Sequence, residues 1–185
     1  MPESRDPESQ GEVQAMSDGE WRGKLGKMSP DEVEEFLAEG RVMRVAMLNP
    51  DGSPSITVCW HDWHAGYFWL VPRKRARWAE LLRDDGRLSF VIDDEKTMQK
   101  VIGDGVAEMV EGPNVGGAWV EVATRMSVRY LGPDGPTYLT PTINQPRWLF
   151  RFKPVNMKTW QGVGWAKRYW VEDSGGPSYE EAHSS

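Results

Sequence analysis

Behind Ser29-Pro30-Asp31-Glu32 the apolar residues Val33, Phe36 and Leu37 recur at i, i+3 and i+4. Serine and glutamate three apart form a capping box, proline suits the first helical position, and the spacing makes one apolar stripe. A helix is therefore predicted here, ended by Gly40. Three strand-like runs follow, at residues 41–48, 55–63 and 67–71, separated by Asn49-Pro50-Asp51-Gly52 and by Ala65-Gly66. Asp-Gly between apolar runs predicts a hairpin. A second helix over about 75–83 aligns Trp78, Leu81 and Leu82. Residues 87–92 and 100–111 return to strand character, the latter with Gly103 and Gly105 inside it. Glycine in a strand predicts a bulge or a sharp bend. A third helix over 117–130 puts Trp119, Val122, Ala123, Met126 and Tyr130 on one face, and 147–152 is the last strand.

Six predicted strands with three short helices between them lack the regular β-α alternation of a parallel sheet. A mainly β fold, an antiparallel barrel with peripheral helices, is predicted instead. Residues 1–27 and 172–185 are rich in Glu, Ser, Asp and Pro with little to bury, so they are expected to be disordered acidic tails around one domain at 28–171. A chain of 185 residues suits a single domain.

Charge changes that picture in one respect. The whole chain carries −6, but residues 1–20 hold −5 and 171–185 hold −4, which leaves +3 on 21–170. The acidity belongs to the ends, and the body has room for a basic anion site. No run approaches the roughly 18 apolar residues of a membrane span, and the start lacks the basic-then-apolar order of a signal peptide, so a cytoplasmic protein is expected. The single cysteine, Cys59, allows no intrachain disulfide and no cysteine-rich zinc site.

Three segments carry candidate chemistry. In Pro72-Arg73-Lys74-Arg75-Ala76-Arg77 four bases precede or open a helix, where the macrodipole disfavours cations unless an anion sits among them. That pattern points to a phosphate site, with Arg75 and Arg77 best placed to form it. In Cys59-Trp60-His61-Asp62-Trp63-His64 the two histidines lie three apart on a strand and so face opposite ways, which argues against a metal site. Trp160-Gln161-Gly162-Val163-Gly164-Trp165-Ala166-Lys167-Arg168-Tyr169-Trp170 offers a flat stacking wall. Ten tryptophans in the chain favour a flat or conjugated small-molecule substrate, with Trp60, Trp63, Trp165 and Arg168 as candidate pocket residues.

These segments together resemble the pyridoxamine 5′-phosphate oxidase-like superfamily of flavin- and deazaflavin-binding split barrels. The motifs that carry the resemblance are SPDEVEEFLAEGRV, NPDGSPSITV, FWLVPRKRARWAELLRDDGRLSFVIDD and GDGVAEMVEGP, and the resemblance runs from about Ser29 to Trp170. The resemblance implies a six-stranded antiparallel Greek-key split barrel of the FMN-binding type, acting as a homodimer with cofactor sites at the interface. It implies that Arg75 and Arg77 grip the cofactor phosphate. Thr57, Val58 and Cys59 would run along the ring, with Leu70 and Val71 at the strand end beside it; the family often has a hydroxyl residue where this chain has Val71. Trp160-Gln161-Gly162 is similar to the stretch through which pyridoxamine phosphate oxidases reach the flavin across the dimer. Those enzymes follow it with an Arg-x-His pair for the substrate, and Ala166-Lys167-Arg168 departs from that pattern.

The expected function is therefore that of an oxidoreductase using FMN or a deazaflavin for hydride transfer with a small conjugated substrate other than vitamin B6. No catalytic acid-base pair is expected, because in such enzymes the cofactor carries the hard chemistry. The rival is a non-enzymatic split barrel that stores or senses flavin or haem, with His61 and His64 as haem ligands. Neither a nucleic acid nor a membrane is expected as a partner.

Overall fold

α1 (Pro30–Ala38) forms as its capping box dictates: the Ser29 hydroxyl accepts from the Glu32 amide, and the Glu32 carboxylate accepts from the Ser29 amide. Its Val33, Phe36 and Leu37 stripe is buried. This computed structural model describes residues 24–164, 176–177 and 179–183. The strands are β1 (Met43–Leu48), β2 (Pro54–Cys59), β3 (Asp62–His64), β4 (Tyr67–Leu70), β5 (Arg87–Asp94), β6 (Gln99–Val106), β7 (Glu108–Asn114), β8 (Arg147–Phe152) and β9 (Val155–Trp160). Between them lie α2 (Arg77–Asp84), α3 (Trp119–Leu131), α4 (Pro136–Leu139) and a 3₁₀ turn at Thr140–Thr142; α5 (Tyr179–His183) is last.

Two antiparallel sheets result, ordered β2-β1-β5-β6-β9 and β3-β4-β8-β7. The six predicted strands become nine because 55–63 breaks at Trp60-His61, 100–111 breaks at Ala107, and β9 reads too weakly as a half-buried edge strand. Taken as bent strands, β2 with β3 and β6 with β7 pass from one sheet to the other. Pairing then runs from β1 through β2/β3, β4, β8, β7/β6 and β5 back to β1. This is a six-stranded ring split at its two corners, mainly β with peripheral helices. At one corner the Ala107 amide donates to the Gly86 carbonyl at 2.7 Å. A Cβ on Gly86 would stand 2.5 Å from the Ala107 carbonyl oxygen, so only glycine admits that approach.

The interior is filled by Phe68, Phe90 and Phe152, with ring centroids 4.9 to 5.5 Å apart. Gly105 leaves the space the Phe152 ring needs, since a Cβ there would come within 2.5 Å of it. α3 packs on the outer face of the four-stranded sheet through Trp119, Val122, Ala123 and Met126, which cluster with Leu149 and Leu139. The anchor of α3 is polar. Asp62, 1 % exposed, accepts from Arg125 at 2.8 and 2.9 Å and pairs with Arg129 at 3.0 Å.

One expectation needs correction. α2 begins at Arg77 rather than near 75, because the loop before it is held by β8 instead of continuing the helix. Ordered structure begins ahead of residue 28: Gly26 pairs with Gln161 in both directions, and Lys24 bonds Glu32 at 2.6 Å. Between 172 and 185 the described residues include α5, a single turn. No helix among the described residues is long and apolar enough to cross a membrane.

Asp62→Asn would leave two guanidinium groups against a neutral amide. We expect it to cost about 3 kcal/mol, read as a lowered urea midpoint; an unchanged midpoint would contradict the anchoring role.

Candidate functional site

The basic loop does not hang free in solvent. The Trp148 amide donates to the Pro72 carbonyl at 3.0 Å and the Lys74 amide to the Pro146 carbonyl at 2.9 Å. The Trp148 indole N–H adds a bond to the Lys74 carbonyl at 3.2 Å, and Arg73 faces Arg147 in an isolated antiparallel bridge. Residues 72–74 are thus stitched to the start of β8, and α2 starts two residues beyond Arg75. Its N-cap residue, Ala76, has no side chain that can accept from the first-turn amides. An uncapped helix start of this kind favours an anion.

Beside this loop lies a cavity of about 520 Å³. One wall is the end of β2 with Val58, Cys59 and Trp60; a second is Val71 and Pro72 with Arg73, Arg75, Ala76 and Trp78. The far wall is Ala123 and Met126 of α3, with Tyr138, Leu139 and Arg147. Trp60 is fixed by stacking on Tyr130 at 4.6 Å and 8°. Among the described residues, three arginines and no carboxylate line the space. Neither Arg73, Arg75 nor Arg147 has an ion pair among the described residues.

Of the predicted cofactor contacts, Val58, Cys59, Val71 and Arg75 meet at this cavity, and Trp60 of the predicted substrate residues joins them. The others stand elsewhere in the chain. Thr57 is half-buried within β2, opposite Val45. Leu70 has no exposure and pairs with Phe150 in the barrel interior. Arg77 points to Glu80, donating at 3.1 Å with both side chains largely exposed. Trp63 packs its ring 4.6 Å from Phe68 and donates its indole N–H to Glu34 at 2.7 Å. Trp160 lies on β9, at the opposite edge of the five-stranded sheet from β2. Gln161 is buried and donates to Glu32 at 3.1 Å, which ties the chain to the α1 capping box. Trp165 and Arg168 lie outside the described residues.

Arg147 is a cavity-lining residue that sequence reading passed over. On β8, Trp148, Phe150 and Phe152 belong to the barrel cluster, so Arg147, Leu149 and Arg151 face outward. An outward arginine reads as solvated. Here α3 and the 136–142 segment cover it to 9 % exposure. Its one sequence signal is a cation heading a strand that is otherwise apolar for three residues.

Two other polar groups are disqualified as reactive centres. Burial pushes the Cys59 thiol up to about 12, so it stays protonated near neutral pH. His61 is fully buried, and burial, aided by the Arg129 charge, pulls it down to about 3. The Tyr130 hydroxyl donates its one proton to the Arg41 carbonyl at 2.6 Å, so His61 Nδ1 donates to the hydroxyl oxygen at 3.1 Å. That fixes the tautomer. His61 Nε2 is left as an acceptor without a partner among the described residues, in the core rather than in the cavity.

Cys59 should resist iodoacetamide in the native protein at pH 7.5 and react once unfolded. Rapid native-state labelling would show a thiol less buried than described. The folded state keeps His61 neutral down to about pH 3, whereas the unfolded imidazole binds a proton near 6.5. The unfolded state therefore holds more protons across that window, and stability falls as pH drops through it. His61→Gln should flatten the dependence between about pH 5 and 6.5; a slope equal to that of the unsubstituted protein would contradict the assignment.

Comparison with known proteins follows the same lines. The family model described as pyridoxamine 5′-phosphate oxidase matches residues 29–161. No curated protein matches the chain in sequence. Among solved structures, the conserved hypothetical protein Rv2991 of Mycobacterium tuberculosis is 26% identical with a TM-score of 0.61, covering 79% of this chain and 98% of its own. HutZ of Vibrio cholerae, a haem storage protein, is 22% identical with a TM-score of 0.56, over 73% of this chain and 96% of its own. An F420 reductase is 17% identical with a TM-score of 0.55, over 67% and 94%. The last two likenesses are likenesses of fold.

Proposed function

The chain belongs to the pyridoxamine 5′-phosphate oxidase family, and on that premise we propose that it binds a flavin-type cofactor, FMN or a deazaflavin, as an oxidoreductase of a small conjugated substrate. The observation that carries this reading is the cavity of about 520 Å³ lined by three arginines and no acid. The residues present fit such a group. Arg75, free of any carboxylate partner among the described residues, and the uncapped first turn of α2 suit the phosphate. Val58, Val71, Met126 and the faces of Trp60 and Trp78 suit a flat ring system.

A bound flavin or deazaflavin supplies the hydride chemistry. What the chain does is hold and orient. Arg75 fixes the charged end, the stacked Trp60–Tyr130 pair makes a rigid wall, and Cys59 adds bulk without charge because its thiol stays protonated. The apolar lining keeps water from the reacting face. The likeness to an F420 reductase supports a deazaflavin, and the family supports FMN. HutZ raises the haem alternative. The residues give that alternative little support, since His61 is locked in the core and His64 sits on the exposed end of β3, neither lining the cavity.

The reading includes a homodimer. The outer face of the five-stranded sheet exposes Ile56, Val58, Ile102 and Val155, at 72%, 58%, 43% and 52% of their surface. Val58 also lines the cavity, so a second copy laid on this face would cover the apolar residues and close the site. The distance of β9 from β2 within one chain supports the role the resemblance gives Trp160 across that interface.

FMN or deazaflavin should bind saturably, followed by the change in cofactor fluorescence. Arg75→Ala should weaken binding about tenfold or more, and Arg77→Ala about twofold at most, because Arg77 is turned to Glu80. Equal effects would return the phosphate to the helix start. Light scattering should give twice the chain mass, and Ile56→Asp should halve it and weaken cofactor binding; a monomeric parent protein with full affinity would refute the shared site.

A further inference from the structure

We propose that Arg147, with Arg73 beside it, is a second anion site in the cavity, which takes a carboxylate or phosphate group other than the one assigned to Arg75. The proposal goes beyond the cofactor reading and stands without it, since it rests on the surroundings of one guanidinium. Arg147 is only 9 % exposed. Its Nη2 donates to the Thr142 hydroxyl at 2.9 Å, its guanidinium carbon lies 5.3 Å from the Trp119 ring centre, and its Nε, turned into neither, has no acceptor among the described residues.

A hydroxyl and an aromatic face solvate a cation but do not neutralise it. No carboxylate lies within ion-pair distance among the described residues, and the charged neighbour across the β-bridge is Arg73, another cation. Burial and then the Arg73 charge weaken the hold of Arg147 on its proton. The side chain has nowhere else to go. β8 sets its direction, and α3 with the 136–142 segment covers it, so what surface it keeps is presented to the cavity it lines. The planar Nη donors of a guanidinium suit the oxygens of a carboxylate or phosphate, a match that an ammonium lacks. Tyr138, on the same wall, is the other titratable neighbour.

Benzoate is a suitable probe because its ring fits the aromatic lining and its amide, benzamide, differs only in charge. By titration calorimetry, benzoate should bind at one site per chain, at least tenfold tighter than benzamide. Arg147→Met should remove that preference, Arg147→Lys should retain part of it, and Arg73→Ala, at an exposed position that does not threaten folding, should weaken benzoate severalfold. Lys74→Ala, which takes a charge from the same loop outside the cavity, should change it less than twofold. Benzoate no tighter than benzamide, or affinity unchanged in both Arg147→Lys and Arg73→Ala, would overturn the proposal. Repeating the titration with FMN or a deazaflavin bound identifies the source of the anion: simultaneous binding assigns it to the substrate, displacement by the deazaflavin alone assigns it to the further acidic groups of that cofactor, and displacement by FMN, whose one phosphate is already assigned to Arg75, overturns a second anion site. Benzoate binding with no cofactor binding would sink the cofactor reading alone; cofactor binding with no benzoate preference would sink this one alone.

Discussion

The backbone pairing of residues 72–74 with 146–148 is the constraint on which the candidate site depends. Two amide-to-carbonyl bonds and one indole bond turn a loop with three consecutive cations into an extension of the four-stranded sheet. Arg73 is thereby set against Arg147, and Arg75 falls just outside the helix that follows rather than within it. Arg147 is covered while Arg73 and Arg75 reach solvent, and the backbone pairing keeps the three around one cavity.

The opposite wall depends on a different interaction. α3 carries Ala123 and Met126 to the cavity, and it is held against β3 by a carboxylate without water access, Asp62, between Arg125 and Arg129. Here the chain provides the anion for its own cations; at Arg147 the described residues provide none. The two clusters lie against the same helix and differ in whether a carboxylate accompanies the guanidinium. The Trp60–Tyr130 stack joins the two walls and sits where β2 bends into β3, so the corner of the barrel and the shape of the cavity are a single feature.

Much of this was legible in the sequence, where local chemistry is decisive. The capping box at Ser29 and Glu32, the hairpins, the face of α3 and the basic loop all follow from short-range pattern, and the resemblance added the closed order of the strands. What was not legible depended on tertiary cover. Arg147 reads as a solvated outer-face residue because the segment that buries it, Pro136 to Thr142, reads as a loop between Gly135 and the last strand. Arg77 reads as a phosphate ligand until Glu80, one turn on, is seen to take it. Trp63 and Leu70 share the predicted strands 55–63 and 67–71 with cavity residues, and a two-residue period cannot say which face of a bending strand reaches the site.

The account makes the phosphate end of the cofactor the point of recognition. Affinity should therefore be measured for FMN against riboflavin, and for a phosphorylated deazaflavin against its phosphate-free form, at one fixed ionic strength. The account predicts that the phosphorylated member of at least one pair binds tenfold tighter or more. Equal affinities within both pairs, or no binding by any of the four, would contradict it.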